Sequence, residues 1–320
     1  MTDPWTSTDA LGEALHALRM GGVFCARSEF SDPFGLEIPA MPGCLMFHAV
    51  SSGQCWLEID GNEPLLLQPG DFVLVPHGEG HRLSSTPGQA AMALFDLPRE
   101  AVSERYELLR HGGGGRASTV VCGAVRFDHP AAHHLVRLLP RHITIEPWSA
   151  GEWLPATLRF LATEAQAMLP GGETVITRLA DILVIQTIRS WLAHNPDAQT
   201  GWLGALQDRK IGRAIARIHH DPARAWTVAE LAETAAMSRS AFAARFAELV
   251  GETPMQYVGR WRMQLALAGL REQLLPIADV AAKLGYRSDA AFRRAFKRHL
   301  GFAPGAARRP SSRGAGPPSR

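Results

Sequence analysis

Lysine is nearly absent from this chain. Three of the 320 residues are lysine, and all three lie beyond residue 208, so everything before that point carries its positive charge as arginine. Cysteine is scarce as well: four residues, at 25, 44, 55 and 122, with no Cys-x-x-Cys pair, which does not suit a secreted disulfide framework. No stretch approaches the roughly 18 apolar residues of a membrane span. The start, Met1-Thr2-Asp3-Pro4-Trp5, has neither a basic nor an apolar targeting segment, so the cytoplasm is the expected compartment and no membrane partner is expected. Also missing is any Ser/His/Asp or Cys/His grouping whose spacing implies nucleophilic catalysis, and the chain therefore does not read as an enzyme.

What is present is the composition of a folded globular protein, 46% apolar and 20% charged, with enough length for two or three cores. The net charge of +2 hides an asymmetry. Residues 209–320 hold 20 Lys and Arg against 8 Asp and Glu, while the remainder holds 13 against 23. A segment that basic is suited to a polyanion, because neutralising phosphates releases condensed counterions; the acidic remainder is repelled by one.

The basic segment contains one pattern twice. Val228-x-x-Leu231-Ala232 leads to Ser238-x-x-x-Phe242-x-x-x-Phe246, and Ile277-x-x-Val280-Ala281 leads to Ser288-x-x-x-Phe292-x-x-x-Phe296. The offset is 49 residues before the serine and 50 after it, and it persists through Gly251/Gly301 and Pro254/Pro304. Each unit predicts a short helix, a turn and a second helix opened by a serine cap with its phenylalanines facing inward, a helix-turn-helix in duplicate. Pro254 to Leu274, ending before Pro276, predicts one linking helix. About 20 residues rise about 30 Å, close to the roughly 34 Å between successive major-groove faces on one side of DNA.

Upstream, Leu45 to Val50, Cys55 to Ile59, Leu65 to Leu67, Phe72 to Val75, Ala91 to Phe95 and Thr119 to Phe127 predict short strands, with a hairpin signal at Asp60-Gly61. His111 to Arg116 reads as a flexible loop by composition. From Pro130 the pattern turns helical, clearest at Gly151 to Met168 and Glu173 to His194. The second of these has an apolar surface broader than one stripe, with Ile176, Leu179, Ile182, Leu183, Ile188 and Trp191 among its residues. Burial in its own domain and a dimer interface both account for that.

The C-terminal motifs resemble those of the AraC/XylS family of bacterial transcription regulators. The residues that carry the resemblance include Ala229-Glu230-Leu231-Ala232, Met237-Ser238-Arg239-Ser240-x-Phe242, Gly251-x-x-Pro254-x-x-Tyr257, Ile277-Ala278-Asp279-Val280-Ala281-x-x-Leu284-Gly285-Tyr286 and Phe296-Lys297-Arg298-x-x-Gly301-x-x-Pro304. The resemblance implies that Ser240, Ala243 and Ala244 of the first copy and Ala290, Arg293 and Arg294 of the second face the groove. Arg239 and Arg245 stand beside the first set, and Lys297 and Arg298 one turn beyond the second. Arginine suits guanine edges, and lysine or arginine near a helix end suits phosphate. Where this chain has Ala244 the family often has arginine, which weakens base reading by the first copy.

Gly70-x5-Pro76-x-Gly78-x2-His81 resembles the second motif of the cupin barrel at all four fixed positions. The first motif is only partly kept: its histidine positions hold His48 and Val50, and its glutamate position holds Gln54. His48 and His81 are what remains of a metal set, too few for an iron dioxygenase site. Cys25, read as preceding the barrel, and Cys122, on its last strand with either face open to it, would complete a Cys2His2 set of the type zinc prefers. Free cysteines are otherwise small buried hydrophobes.

The expected architecture is α+β and multidomain: a cupin-like sensor barrel at 1–128, a helical dimerisation or linker region at 129–205, the double helix-turn-helix at 206–308 and a disordered tail at 309–320. The resemblance implies a regulator that binds double-stranded promoter DNA as a homodimer, works with RNA polymerase and answers to a small effector, a metal or a redox signal. The competing class is a cupin metalloenzyme of dioxygenase type fused to a DNA-binding module.

Overall fold

The computed structural model describes residues 11–12, 15, 20–127, 130–145, 153–167, 169–271 and 275–307. The expected tail lies outside the described residues. Two compact units divide at residue 196, one running from Leu15 to Pro196 and the other from Asp197 onward.

In the first unit, twelve strands are seen among the described residues: β1 Met20–Ser31, β2 Gly35–Ile38, β3 Cys44–Ser52, β4 Cys55–Ile59, β5 Leu65–Leu67, β6 Phe72–Val75, β7 His81–Ser84, β8 Met92–Ala93, β9 Arg99–Ala101, β10 Tyr106–Gly112, β11 Ala117–Phe127 and β12 Ile143–Thr144. They form a seven-stranded sheet ordered β12-β6-β3-β11-β1-β10-β9 and a five-stranded sheet ordered β5-β4-β7-β2-β8. Phe30, Met46, Val50 and Val120 of the first sheet and Leu36, Ile38, Leu57 and Leu83 of the second share one buried core. The apolar side chains of both inner faces are thus removed from water together.

The Gly-rich run read as flexible is pinned. β10 and β11 flank β1, so their connection must cross the end of that strand. The backbone N–H groups of Gly113 and Gly115 donate to the Ser31 and Asp32 carbonyls at 3.0 and 2.7 Å. A Cβ on Gly112 would lie 1.9 Å from the Ser31 oxygen, so only glycine fits. Cys25 does not precede the barrel but sits inside β1, a strand the sequence reading passed over. The expected strand at Ala91 to Phe95 is only Met92–Ala93, followed by a 3-10 turn over Leu94–Asp96.

Among the described residues three helices belong to the same unit: α1 Pro130–Arg137, α2 Trp153–Ala167 and α3 Gly172–His194. Tyr106 Oη on β10 donates to the Ala165 carbonyl on α2 at 2.8 Å. These helices are therefore not a domain of their own, and the boundaries expected at 129 and 206 shift. The next helix, α4 Gly201–Gln207, joins the second unit, where Trp202 Nε1 donates to Tyr257 Oη at 2.9 Å.

The second unit continues with α5 Arg209–His220, α6 Val228–Thr234, α7 Arg239–Val250, α8 Pro254–Arg271, α9 Ile277–Lys283, α10 Asp289–Leu300 and α11 Pro304–Ala307. Ser238 and Ser288 cap α7 and α10, each Oγ accepting from the N–H three residues on, which satisfies a donor that the first helical turn leaves open. Thr227 and Glu230 form a reciprocal capping box at the start of α6. Phe242, Phe246, Phe292 and Phe296 are fully buried. The linking helix α8 serves both halves. Its Tyr257 meets Phe246 edge-on at 5.6 Å, while its Met263, Ala266 and Leu270 sit in the core with Phe292 and Phe296. At 18 residues it is about 27 Å long.

Arg262 fastens the two halves. Its Nε donates to the Pro222 carbonyl at 2.6 Å and its Nη2 to the Arg224 carbonyl at 2.6 Å, holding the segment that leads into α6. The same guanidinium lies over the Tyr286 ring in the turn of the second copy, 5.9 Å from its centroid. Beside it, Gly285 has φ +76°, and a Cβ there would come within 2.2 Å of the Ala223 oxygen. The equivalent position of the first copy is Ala236, at φ 51°. That left-handed conformation costs an alanine about 1 kcal/mol. Ala236→Gly should therefore change stability by less than about 1 kcal/mol, the relief being offset by the added freedom of the unfolded chain. Gly285→Ala should lose more than about 2 kcal/mol from strain and clash together. Urea unfolding of the two variants, followed by helical circular dichroism, checks the difference.

Candidate DNA-reading helices and the barrel interior

On α10, Phe292, Ala295 and Phe296 face the core, which leaves Ala290, Arg293, Arg294, Lys297 and Arg298 exposed. Arg293 Nε pairs with Asp289 Oδ2 at 2.6 Å, one turn away and open to water. A pair of that kind contributes little and is easily exchanged for another anion. On α7, Arg239, Ser240 and Ala244 are exposed and Ala243 is half-buried. Arg245 is differently engaged: it bridges Asp208 at 3.3 Å and Glu248 at 3.0 Å. Asp208 also caps α5, accepting from the Lys210 and Ile211 N–H groups. Arg245 therefore braces α7 against α5 rather than extending outward with Arg239.

Inside the two-sheet unit, β3 and β11 place His48 directly opposite Cys122, while β7 brings His81 from the other sheet. The bonding pattern assigns every proton in the resulting chain. His81 Nδ1 lies 2.9 Å from the Glu79 carbonyl, which can only accept, so Nδ1 donates and Nε2 carries a lone pair. His48 Nε2 stands 2.7 Å from that lone pair and is the donor. His48 Nδ1 must then accept, and Cys122 Sγ is 3.1 Å away. Ser28 Oγ donates in turn to Cys122 Sγ at 3.9 Å. Burial, with the His81 ring adding to it, lowers the pKa of His48 well below the usual histidine value. Burial likewise lowers His81, although its bond to the Glu79 carbonyl pulls the other way. Burial pushes the Cys122 thiol up to about 12. All three groups are neutral at rest.

Cys25 does not join them. Ala26, not Cys25, pairs with Cys122 across β1 and β11, and strand alternation turns Cys25 to the opposite face. There burial, with the Glu173 charge adding to it, raises its thiol to about 12. The Cys2His2 zinc set is therefore corrected. Cys122 addresses one nitrogen of His48 and His81 the other, so the donors do not converge on one point. Val50, at a lost ligand position, packs in the apolar core. Among the described residues no group of three or more His, Cys, Asp and Glu side chains is arranged to hold a metal ion. A cupin metal does not fit these residues, and the dioxygenase alternative loses its centre with it.

The sequence reading missed Ser28 and Glu79. Glu79 faces two ways: its carbonyl takes the His81 proton, and its carboxylate pairs with Arg141 at 2.7 Å. Arg141 also donates to the Asp60 carbonyl and, at 3.1 Å, to Asn62 Oδ1.

A cupin fold joined to a duplicated helix-turn-helix with an exposed basic face defines a DNA-binding transcription regulator. The family model described as Cupin matches residues 9–193, and that described as Helix-turn-helix domain matches residues 231–310. A putative AraC-like transcription regulator of Streptomyces lividans is 35% identical over 82% of this chain and 86% of its own length. The RCS-specific HTH-type transcriptional activator RclR of Escherichia coli K12 is 28% identical over 82% of this chain and 83% of its own. Among solved structures, the DNA-binding domain of AdpA in complex with a target DNA is similar at 33% identity and a TM-score of 0.29, over 30% of this chain and 86% of that one. The chain belongs to the AraC/XylS family of transcription regulators and carries an N-terminal cupin domain. Among the described residues no helix is long and apolar enough to cross a membrane.

The neutral histidine pair makes stability depend on pH. Its folded pKa values lie below the unfolded value of about 6.5, so between the two the unfolded chain binds more protons. Stability of the cupin unit is full above about pH 6.5 and falls as pH drops through that value toward the folded ones, by up to about 1.4 kcal/mol per pH unit for each histidine. Urea midpoints taken from about pH 7.5 to about pH 5 should show this decline, and a His48→Gln, His81→Gln double variant should flatten it.

Proposed function

We propose that this chain is a regulator whose second helix-turn-helix copy reads bases, whose first copy positions the protein, and whose cupin unit senses a small molecule. The reading role rests on the exposed α10 face, where Arg293 and Arg294 stand clear of the core with Lys297 and Arg298 placed for phosphate. The α7 face offers Arg239, Ser240, Ala243 and Ala244, small side chains apart from one arginine, and Arg245 is held elsewhere. The working unit is a homodimer on double-stranded promoter DNA, acting with RNA polymerase. Phe160 on α2 and Ile182 on α3, 49% and 47% exposed, supply apolar surface that a second copy would cover.

The sensing role rests on one observation, a cavity of about 50 Å³ in the cupin unit, lined by Leu36, Ile38, Met46 and Leu109, with Cys122 and His48 also on its wall. An apolar pocket with a few placed polar groups is the usual form of a small-ligand site. The space is narrow, so the effector is small. Its binding shifts the equilibrium between forms with different operator affinity.

Arg293→Ala and Arg294→Ala should each weaken operator binding by about 1–3 kcal/mol, roughly 5- to 150-fold, while Ala243→Ser and Ala244→Ser stay within about twofold. A mobility-shift series with full-length protein measures the ranking, and the reverse order would sink the assignment. Ala124→Leu narrows the cavity from β11. It should abolish ligand-dependent promoter output across a panel of small molecules, with basal operator affinity held within about twofold. A reporter that responds as before would remove the sensing role from this cavity.

A further inference from the structure

Cys122 and His48 are 74 positions apart in sequence and meet at 3.1 Å. That separation hid them from any reading by spacing. Three parts of a reactive thiol site are present: a nucleophile, a base within hydrogen-bond reach, and a third group that fixes the base's tautomer. His81, itself fixed by the Glu79 carbonyl, is the third group. Cys122 also borders a cavity whose walls are largely apolar; its two charged lining residues, Arg99 and Glu107, pair with each other at 3.2 Å. Such a lining favours an uncharged molecule and disfavours an anion.

We infer that Cys122 is a nucleophile activated by His48, and that the cavity takes a small uncharged electrophile with a conjugated carbonyl, of the size of acrolein. The inference deepens the sensing role proposed above by naming the chemistry of the signal. Cys122 Sγ bonds to the β-carbon as the S–H proton passes to His48 Nδ1. The carbon-carbon π pair moves toward the carbonyl. The imidazolium formed keeps its Nε2–H on His81 Nε2, so both of its protons stay bonded. His48 then returns the proton to the α-carbon, leaving a saturated thioether aldehyde and a neutral histidine. One electrophile is consumed per chain and no other reactant is needed, so the event is a modification and not a catalytic cycle. With the thiol protonated at rest and His48 a weak base, the proton moves only as the S–C bond forms, so reaction is confined to molecules seated against both groups.

The test treats full-length protein with acrolein and, separately, with iodoacetate, and follows each cysteine by peptide mass spectrometry. Cys44, the other partly exposed cysteine, is the internal reference. With acrolein, Cys122 should react at least about 10-fold faster than Cys44; with charged iodoacetate the order should reverse. His48→Asn retains a hydrogen-bonding side chain but cannot take the proton, and should slow Cys122 by roughly 100-fold while leaving Cys44 unchanged. If that variant does not fold, Ala124→Leu replaces it, and the Cys122 rate should fall there with the Cys44 rate held.

Acrolein adducts at Cys44 with Cys122 untouched, or an unchanged Cys122 rate in the folded variant used, overturn the inference. Faster conversion of Cys122 to a sulfenic acid by hydrogen peroxide than to an adduct by acrolein reassigns the cavity to an oxidant and overturns the electrophile class. Operator affinity is measured separately on the modified protein. An adduct that leaves it unchanged supports the nucleophile and removes the sensing role.

Discussion

The two helix-turn-helix copies are tied together by a single guanidinium, that of Arg262, which donates to backbone carbonyls at Pro222 and Arg224 and lies over Tyr286. Those carbonyls belong to the segment between α5 and α6, and that of Arg224 also accepts from the Trp226 N–H at 2.8 Å. Supplying them from α8 ties the entry of the first copy to the helix whose far end is packed into the second. The close approach of Gly285 to the Ala223 oxygen seals the same joint. The separation of α7 and α10 is then a property of packed structure and not of a hinge.

The cupin unit solves a comparable problem with side chains. Two histidines and a thiol inside a barrel are costly unless every donor finds an acceptor. Here the accounting closes in one direction only, from Ser28 through Cys122, His48 and His81 to the Glu79 carbonyl. Because His48 and His81 come from different sheets, the chain also joins the two layers at their core. Where a metal-binding cupin has its ligands, this chain has this relay, with a cavity beside its sulfur.

Much of the C-terminal half was legible because its signals are local. Serine caps, glycines ending α7 and α10, and phenylalanines four apart each act within a turn or two of helix, and the duplication displays them twice. The cupin motif was legible for the same reason at Gly78, where φ is +62° and a Cβ would lie 2.1 Å from the Met41 oxygen. What escaped was non-local. β1 turns Phe24, Ala26 and Ser28 toward the cavity, and two of those are too small or too polar to signal a strand. Arg245 has the exposure of a groove residue by helical position, but its partner Asp208 lies 37 positions back. Cys25 and Cys122 look alike in the sequence, and only the register of β1 against β11 shows that they face opposite ways.

Glu79 stands where the interior of the barrel meets its outside. One peptide unit anchors the last ring of the buried relay, and the side chain of the same residue is gripped by Arg141, which also holds the hairpin at Asp60 and Asn62. The two attachments cannot move independently, since both are carried by one α-carbon. A tilt of the His81 ring must be absorbed either by lengthening a hydrogen bond in the dry interior or by dragging an ion pair that is wetted by solvent. The second is cheaper in free energy, so the ring acts as the short arm of a lever whose long arm is at the surface.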